Sequence, residues 1–177
     1  MGSTRFPGKV MVELNDNHNV LDYVINQLRF SKSIKNLIIA TTFLEEDDII
    51  VEYAKKNNLE YFRGEPLDVL DRYYQCAKKF SLETIVRMTS DSPFLDPLIV
   101  DKTVNKFQED DFDFVSNNLI RTFPIGIDTE VFSFKTLEQA WKEAKLPSER
   151  EHVTTFIKKN KEVFKIYNLE NNQKIPI

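Results

Sequence analysis

Along the chain, apolar residues recur at helical spacing, bunch into short runs, and then recur at helical spacing again. Residues 20–31, VLDYVINQLRFS, place Leu21, Val24, Ile25 and Leu28 on one helical face. NLIIAT (36–41) is a short apolar run between polar residues and predicts a buried strand. EEDDIIVEYAKKNN (45–58) begins acidic and ends basic, as the helix dipole favours. EYF (60–62) predicts a short strand, LDVLDRYYQCAKKF (67–80) a helix and TIVRMT (84–89) a strand. DPLIVDKTVNKFQED (96–110) opens with an Asp cap and a Pro at the first helical position. DFVSN (113–117) predicts another strand, and TEVFSF (129–134) alternates as a strand does. TLEQAWKEA carries Thr136 and Gln139 at capping-box spacing, with Leu137, Ala140, Trp141 and Ala144 on one face. SEREHVTTFIKKN repeats the device with Ser148 and Glu151, and FKIYNL (164–169) reads as a last strand.

Strands alternating with helices imply an α/β fold, a mainly parallel sheet between helices in a three-layer sandwich. With no repeat, linker or composition break, residues 1–177 are read as one domain. In such sheets ligands sit beyond the carboxyl ends of the strands. The residues there are Thr41 and Thr42, Arg63 and Gly64, Ser90 to Pro93, and Asn118 with Arg121. They suit an anionic, hydroxylated ligand or a hard cation.

Charge narrows the field. The formal net charge of −4 and pI of about 5.3 argue against bulk nucleic-acid binding, which needs a basic surface. A local basic pocket stays compatible with them. The single cysteine, Cys76, sits in a helical pattern and reads as a core residue, and it excludes an internal disulfide. No apolar run is long enough to span a membrane, and the start lacks the apolar stretch of a signal peptide. A cytoplasmic protein is expected.

Two stretches invite chemistry. Asp91 follows an apolar-Arg-apolar-Thr strand and precedes Ser92 and Pro93. A lone carboxylate at a strand end holds Mg²⁺ with water and phosphate oxygens, or it caps its own turn; the residues alone favour neither. The start, MGSTRFPGKV, holds two of the chain's four glycines beside Ser3, Thr4, Arg5 and Lys9. Glycines let a backbone approach phosphate, and the hydroxyls and cations complete a triphosphate cradle. The same residues also fit a frayed tail or tag remnant. The spacing is not that of a Walker loop: five residues separate Gly2 from Gly8, and Val10 stands where Ser or Thr would hold the metal.

MGSTRFPGK resembles the signature of the cytidylyltransferases that make CMP-activated sugars. IIATT with EDD, FRGEPLDVLDRYYQCAKKF, IVRMTSDSPFLDP, DFVSNN, RTFPIGIDTEVFSF and SEREHVTTFIKKN resemble the same family, in order and across nearly the whole chain. The similarity is greatest to members of the spore coat polysaccharide biosynthesis protein F type. The resemblance implies a Rossmann-like nucleotide-diphospho-sugar transferase fold, GT-A-like. It implies attack of a sugar-acid hydroxyl on the α-phosphate of CTP, with Mg²⁺ as cofactor and pyrophosphate as leaving group. The acceptor would be of the ulosonic or nonulosonic type, the pathway surface polysaccharide biosynthesis, and the assembly a homodimer. Carried onto matching positions, Arg5, Lys9 and Asp91 are catalytic, with Asp91 the metal ligand. Gly2, Ser3, Thr4, Thr41, Arg63, Asp71 and Arg72 bind the nucleotide; Asp128, Glu130, Arg150, Glu151 and His152 lie on the acceptor side.

Each assignment has a plainer counterpart. Asp71 and Arg72 fit surface ion pairs, His152 fits packing or capping, Asp128 fits a turn, and His18 reads as a loop residue without a role. Relatives begin with an apolar-apolar-Gln-Ala-Arg strand before the leading loop and end with an acidic segment of the D-T-x-E-D type. The chain is therefore expected to lack a central strand and a second metal carboxylate. GIDTE (126–130) is similar to that segment but lies earlier along the chain. A non-catalytic module of the same fold, or a glycosyltransferase using a preformed nucleotide sugar, are the competing readings.

Overall fold

A computed structural model describes residues 6–15 and 17–171. Gly2, Ser3, Thr4 and Arg5, placed in the cradle by the sequence, lie outside the described residues.

In chain order the elements are β1 (Glu13–Asn15), β2 (His18–Asn19), α1 (Val20–Arg29), β3 (Ile38–Thr42), α2 (Asp48–Lys56), β4 (Glu60–Gly64), α3 (Val69–Lys79) and β5 (Thr84–Arg87). There follow α4 (Pro97–Glu109), β6 (Phe114–Ser116), β7 (Glu130–Ser133), α5 (Phe134–Glu143), α6 (Pro147–Glu151), α7 (Thr155–Lys159) and β8 (Ile166–Asn168). The sequence pattern anticipates most of them, within a few residues at each end.

The differences have local causes. α1 is capped by Asn19, whose side chain accepts from Asp22 N at 2.9 Å. β1 and β2 form the small antiparallel pair that delivers this cap, so His18 opens a strand. The acidic start of residues 45–58 forms a 3₁₀ turn over Glu45–Asp47 before α2 begins. α5 starts three residues earlier than its capping-box pattern suggests: Ser133, the last residue of β7, accepts from Thr136 N at 3.0 Å. SEREHVTTFIKKN is two helices rather than one, because the chain turns at residues 152–154 to bury Val153.

The sheet is mixed. β3 and β4 pair in parallel. The four-stranded sheet runs β5–β7–β6–β8, with β6 and β8 parallel and β7 antiparallel to both its neighbours. Residues 117–129 contain no helix to carry the chain back across the sheet, so β7 returns beside β6 in the opposite sense.

Side chains of β7 alternate between two cores. Phe132 packs with Leu70, Tyr74, Leu137 and Ile157 of α3, α5 and α7. Val131 packs on the other face with Val24, Leu28, Val100 and Val104 of α1 and α4. The sheet thus lies between two helical layers, and all four apolar residues singled out in α1 are buried. α3 touches β3, β4 and α5 and so bridges the two sheets. Cys76, on α3, is buried, and desolvation pushes its thiol up to about 11.

Candidate functional site

The carboxyl ends of β5 and β6 meet the amino end of β7. Because β7 runs against its neighbours, its first residue, Glu130, is in register with Arg87 on one side and Ser116 on the other. Side chains directly across a strand pair touch, and Arg87 Nη1 donates to Glu130 Oε2 at 2.8 Å. α7 brings a second cation: Lys158 Nζ donates to Glu130 Oε1 at 2.5 Å and to Asn118 Oδ1 at 3.2 Å. The hydroxyl of Thr154, which caps α7, lies 3.2 Å from both Glu130 oxygens. Glu130 is only 2% exposed. Burial alone would raise its pKa; Arg87 and Lys158 outweigh that and hold the carboxyl below its ordinary value.

Past β5, Thr89, Asp91 and Ser92 form a rim, with the two hydroxyls 2.9 Å apart. Lys9 reaches across from the leading segment and its Nζ donates to Asp91 Oδ2. Gly8 makes this reach possible: its φ of 72° turns the chain into the short 3₁₀ helix Lys9–Met11, a conformation that side chains with a Cβ resist. Burial acts against ionisation of Asp91, but hydrogen bonds from Lys9 and Thr89 keep its carboxyl below the usual range.

Arg87, Asp91, Asn118, Asp128 and Glu130 line one cavity of about 270 Å³. Its third side is the 117–129 loop. Buried Asn117 ties that loop together, donating to Ile127 O at 2.9 Å and accepting from Thr129 N at 2.8 Å. Arg121 grips Asp128 with two bonds of 3.0 and 3.1 Å. Gly126, at φ 100°, makes the turn between them and faces the same space.

Lys9, Asp91, Asp128 and Glu130 are therefore brought together, while other expected site residues are occupied elsewhere. Thr41 donates its hydroxyl to Asp47 at 3.0 Å. Arg63 is spent on Thr42 O and Leu44 O, each at 2.8 Å, and on Asp48 at 2.7 Å. Asp71 accepts from Trp141 Nε1 at 2.8 Å, joining α3 to α5. Arg72 donates to Glu65 O at 2.6 Å, and burial pulls its pKa down.

Arg150, Glu151 and His152, expected on the acceptor side, do not line the cavity. Glu151 and His152 are exposed at the end of α6. Arg150 clamps three helices: Nε and Nη2 donate to Asp68 Oδ2 at 2.9 and 2.6 Å, and Nη1 to Trp141 O at 2.8 Å. A charge-assisted clamp of this kind, partly open to water, contributes about 1.5–3 kcal/mol as a whole, since bonds from one guanidinium do not add. Arg150→Ala should therefore lower the unfolding free energy by about 2 kcal/mol in urea titrations. A loss under about 0.5 kcal/mol would remove the clamp from the account.

The sequence reading did not select Arg87, Lys158 and Thr154. A usable signal exists for one of them: Arg87 is a charge embedded in the apolar strand TIVRMT. Lys158 and Thr154 carry none, since both read as ordinary helix-end residues.

A sheet with helices on both faces and a polar, charge-lined cavity at its strand ends defines an α/β protein that binds its ligand beyond the carboxyl ends of its strands. A solved CMP:2-keto-3-deoxy-manno-octonic acid synthetase complexed with CTP shares this fold, with a TM-score of 0.73 over 96% of this chain and 86% of that one at 11% identity. A cytidylyltransferase structure from Leptospira borgpetersenii is nearer, with a TM-score of 0.93 and 37% identity over 98% of this chain and 73% of that one. In sequence, the spore coat polysaccharide biosynthesis protein SpsF of Bacillus subtilis is 33% identical over 177 residues, covering 96% of this chain and 71% of SpsF. The profile of the family described as Cytidylyltransferase matches residues 1–175. The chain belongs to the cytidylyltransferase family and is a nucleotidyltransferase. No helix among the described residues is long and apolar enough to cross a membrane.

Proposed function

We propose that the protein transfers CMP from CTP to a sugar acid for surface polysaccharide biosynthesis. The observation that carries the reading is the ion pair of Lys9 with Asp91, which lines one cavity together with Arg87, Asn118 and Glu130. An acceptor hydroxyl oxygen attacks the α-phosphorus, the bond to the β-phosphate oxygen breaks, and pyrophosphate departs while the hydroxyl proton passes to solvent. Such chemistry needs alignment and charge neutralisation more than covalent help.

Lys9 supplies a mobile positive charge at the phosphate end. Asp91, with the Thr89 and Ser92 hydroxyls, offers the hard oxygens that Mg²⁺ prefers. The ammonium of Lys9 already lies against this carboxylate, so Asp91 is oriented to face a cation. No cluster of three or more His, Cys, Asp or Glu stands ready for a metal among the described residues. Asp91 would therefore hold Mg²⁺ together with phosphate oxygens and water, and the ion would neutralise charge on the triphosphate. The name of SpsF supports the polysaccharide pathway, and that of the CMP:2-keto-3-deoxy-manno-octonic acid synthetase an acceptor of the ulosonic or nonulosonic acid type.

A thermal-shift series with CTP, UTP, GTP and ATP, with and without Mg²⁺, tests nucleotide choice. A ligand at a hundred times its Kd adds about 2.7 kcal/mol to the folded state. CTP with Mg²⁺ should raise the melting temperature most. Equal shifts from every triphosphate, or none, would refute CTP as the substrate.

A further inference from the structure

The acids around the cavity are unequally matched. Asp91 faces one cation, Lys9, and Asp128 faces one, Arg121. Glu130 alone faces two, Arg87 and Lys158. Among the described residues one positive charge is left over, and it lies beside buried Glu130 rather than at the exposed rim.

Arg87 has the donors to use it. A guanidinium carries five N–H groups. Among the described residues, Arg87 bonds from Nη1 to Glu130, Nε is buried without a partner, and Nη2 stays unbonded and accessible. The side chain is 22% exposed and lines the cavity beside the amide of Asn118. A half-used planar fork carrying surplus charge, at the closed end of a polar cavity, matches a carboxylate in shape and sign.

We infer that Arg87 is the seat of the acceptor's carboxylate. The inference rests on the CMP-transfer reading and adds the residue that selects an acid over a neutral sugar. The triphosphate belongs at the other end, where Lys9 and Asp91 meet. With its acid on Arg87, the acceptor is anchored at the floor while its hydroxyl points toward the rim.

The experiment compares wild type with Arg87→Met and Arg87→Lys. Lys158 still balances Glu130 in the methionine variant, so its fold should persist; thermal melts check that, and Arg87→Lys serves if it does not. Calorimetric titrations use 3-deoxy-manno-octulosonate, its methyl ester, and CTP with Mg²⁺ as probes. Loss of the charged fork should weaken binding of the acid by about 10- to 100-fold. The lysine variant should recover part of that, since it keeps the charge and loses the fork. Binding of the ester and of CTP should change less than about twofold. Equal affinity of wild type and Arg87→Met for the acid overturns the inference. So does a comparable loss of CTP binding, which would place a phosphate on Arg87 instead. A wild type that binds CTP but not the acid overturns the inference and leaves nucleotide recognition standing. A wild type that binds neither overturns both.

Discussion

Replacing Glu130 with alanine should cost about 3–5 kcal/mol of folding stability, because it removes the buried counter-ion that Arg87 and Lys158, both partly buried, share. For a chain of this size that corresponds to a fall in melting temperature of roughly 10 °C or more. Thr154 and Asn118 also lose their acceptor, and an unpaired buried donor costs more than its bond contributed. The loss should come from the orphaned charges and not from missing volume. Replacing the whole cluster (Arg87→Met, Glu130→Leu, Lys158→Met) should therefore restore most of the stability, since apolar substitutes for a buried ion cluster are often neutral. Circular dichroism melts of the two variants decide it. A Glu130→Ala protein within about 1 kcal/mol of wild type would show that the cluster is not electrostatically coupled.

The same carboxylate makes a prediction for acid. Its folded pKa is depressed, so its stabilising contribution is complete above the ordinary glutamate value of about 4.3 and is lost as pH falls through the lower folded value. Melting temperature should drop less steeply below that pH in Glu130→Gln than in wild type.

Asp91→Asn should do the reverse: leave the fold and remove the reaction. Asp91 is exposed, and its pairing with Lys9 is between groups 37% and 34% exposed, so the pair contributes at most about 1 kcal/mol. The amide keeps the shape and loses the charge that a hard cation and a triphosphate require. Pyrophosphate release from CTP and 3-deoxy-manno-octulosonate with Mg²⁺ should fall by roughly 10²-fold or more, with melting temperature nearly unchanged. Activity within about threefold of wild type would exclude Asp91 from the metal and phosphate site.

Much of the architecture was legible along the chain because helices announce themselves locally. The buried face of α1 follows directly from Leu21, Val24, Ile25 and Leu28. The Asp96 cap and Pro97 start α4 where the pattern placed it. The place of Asp91 beyond the end of β5, where it lines the cavity, was legible as well, since the apolar strand before it and Ser-Pro after it fix the strand end. Arg150 and Asp71 looked equally promising. Their partners, Asp68 and Trp141, are distant in sequence, and no local pattern tells a clamp from a ligand.

What the sequence determined by itself is most of the elements and the end of the sheet at which polar chemistry collects: spacing, caps and apolar runs are properties of neighbouring residues. What only the tertiary structure decided is the direction of β7. That one antiparallel strand carries Glu130 to the carboxyl ends of β5 and β6, where Arg87 and the more distant Lys158 close around it. Strand direction depends on how the chain returns to the sheet, and a buried charge cluster depends on which distant cations share its low-dielectric surroundings. Neither is written in any short stretch of residues.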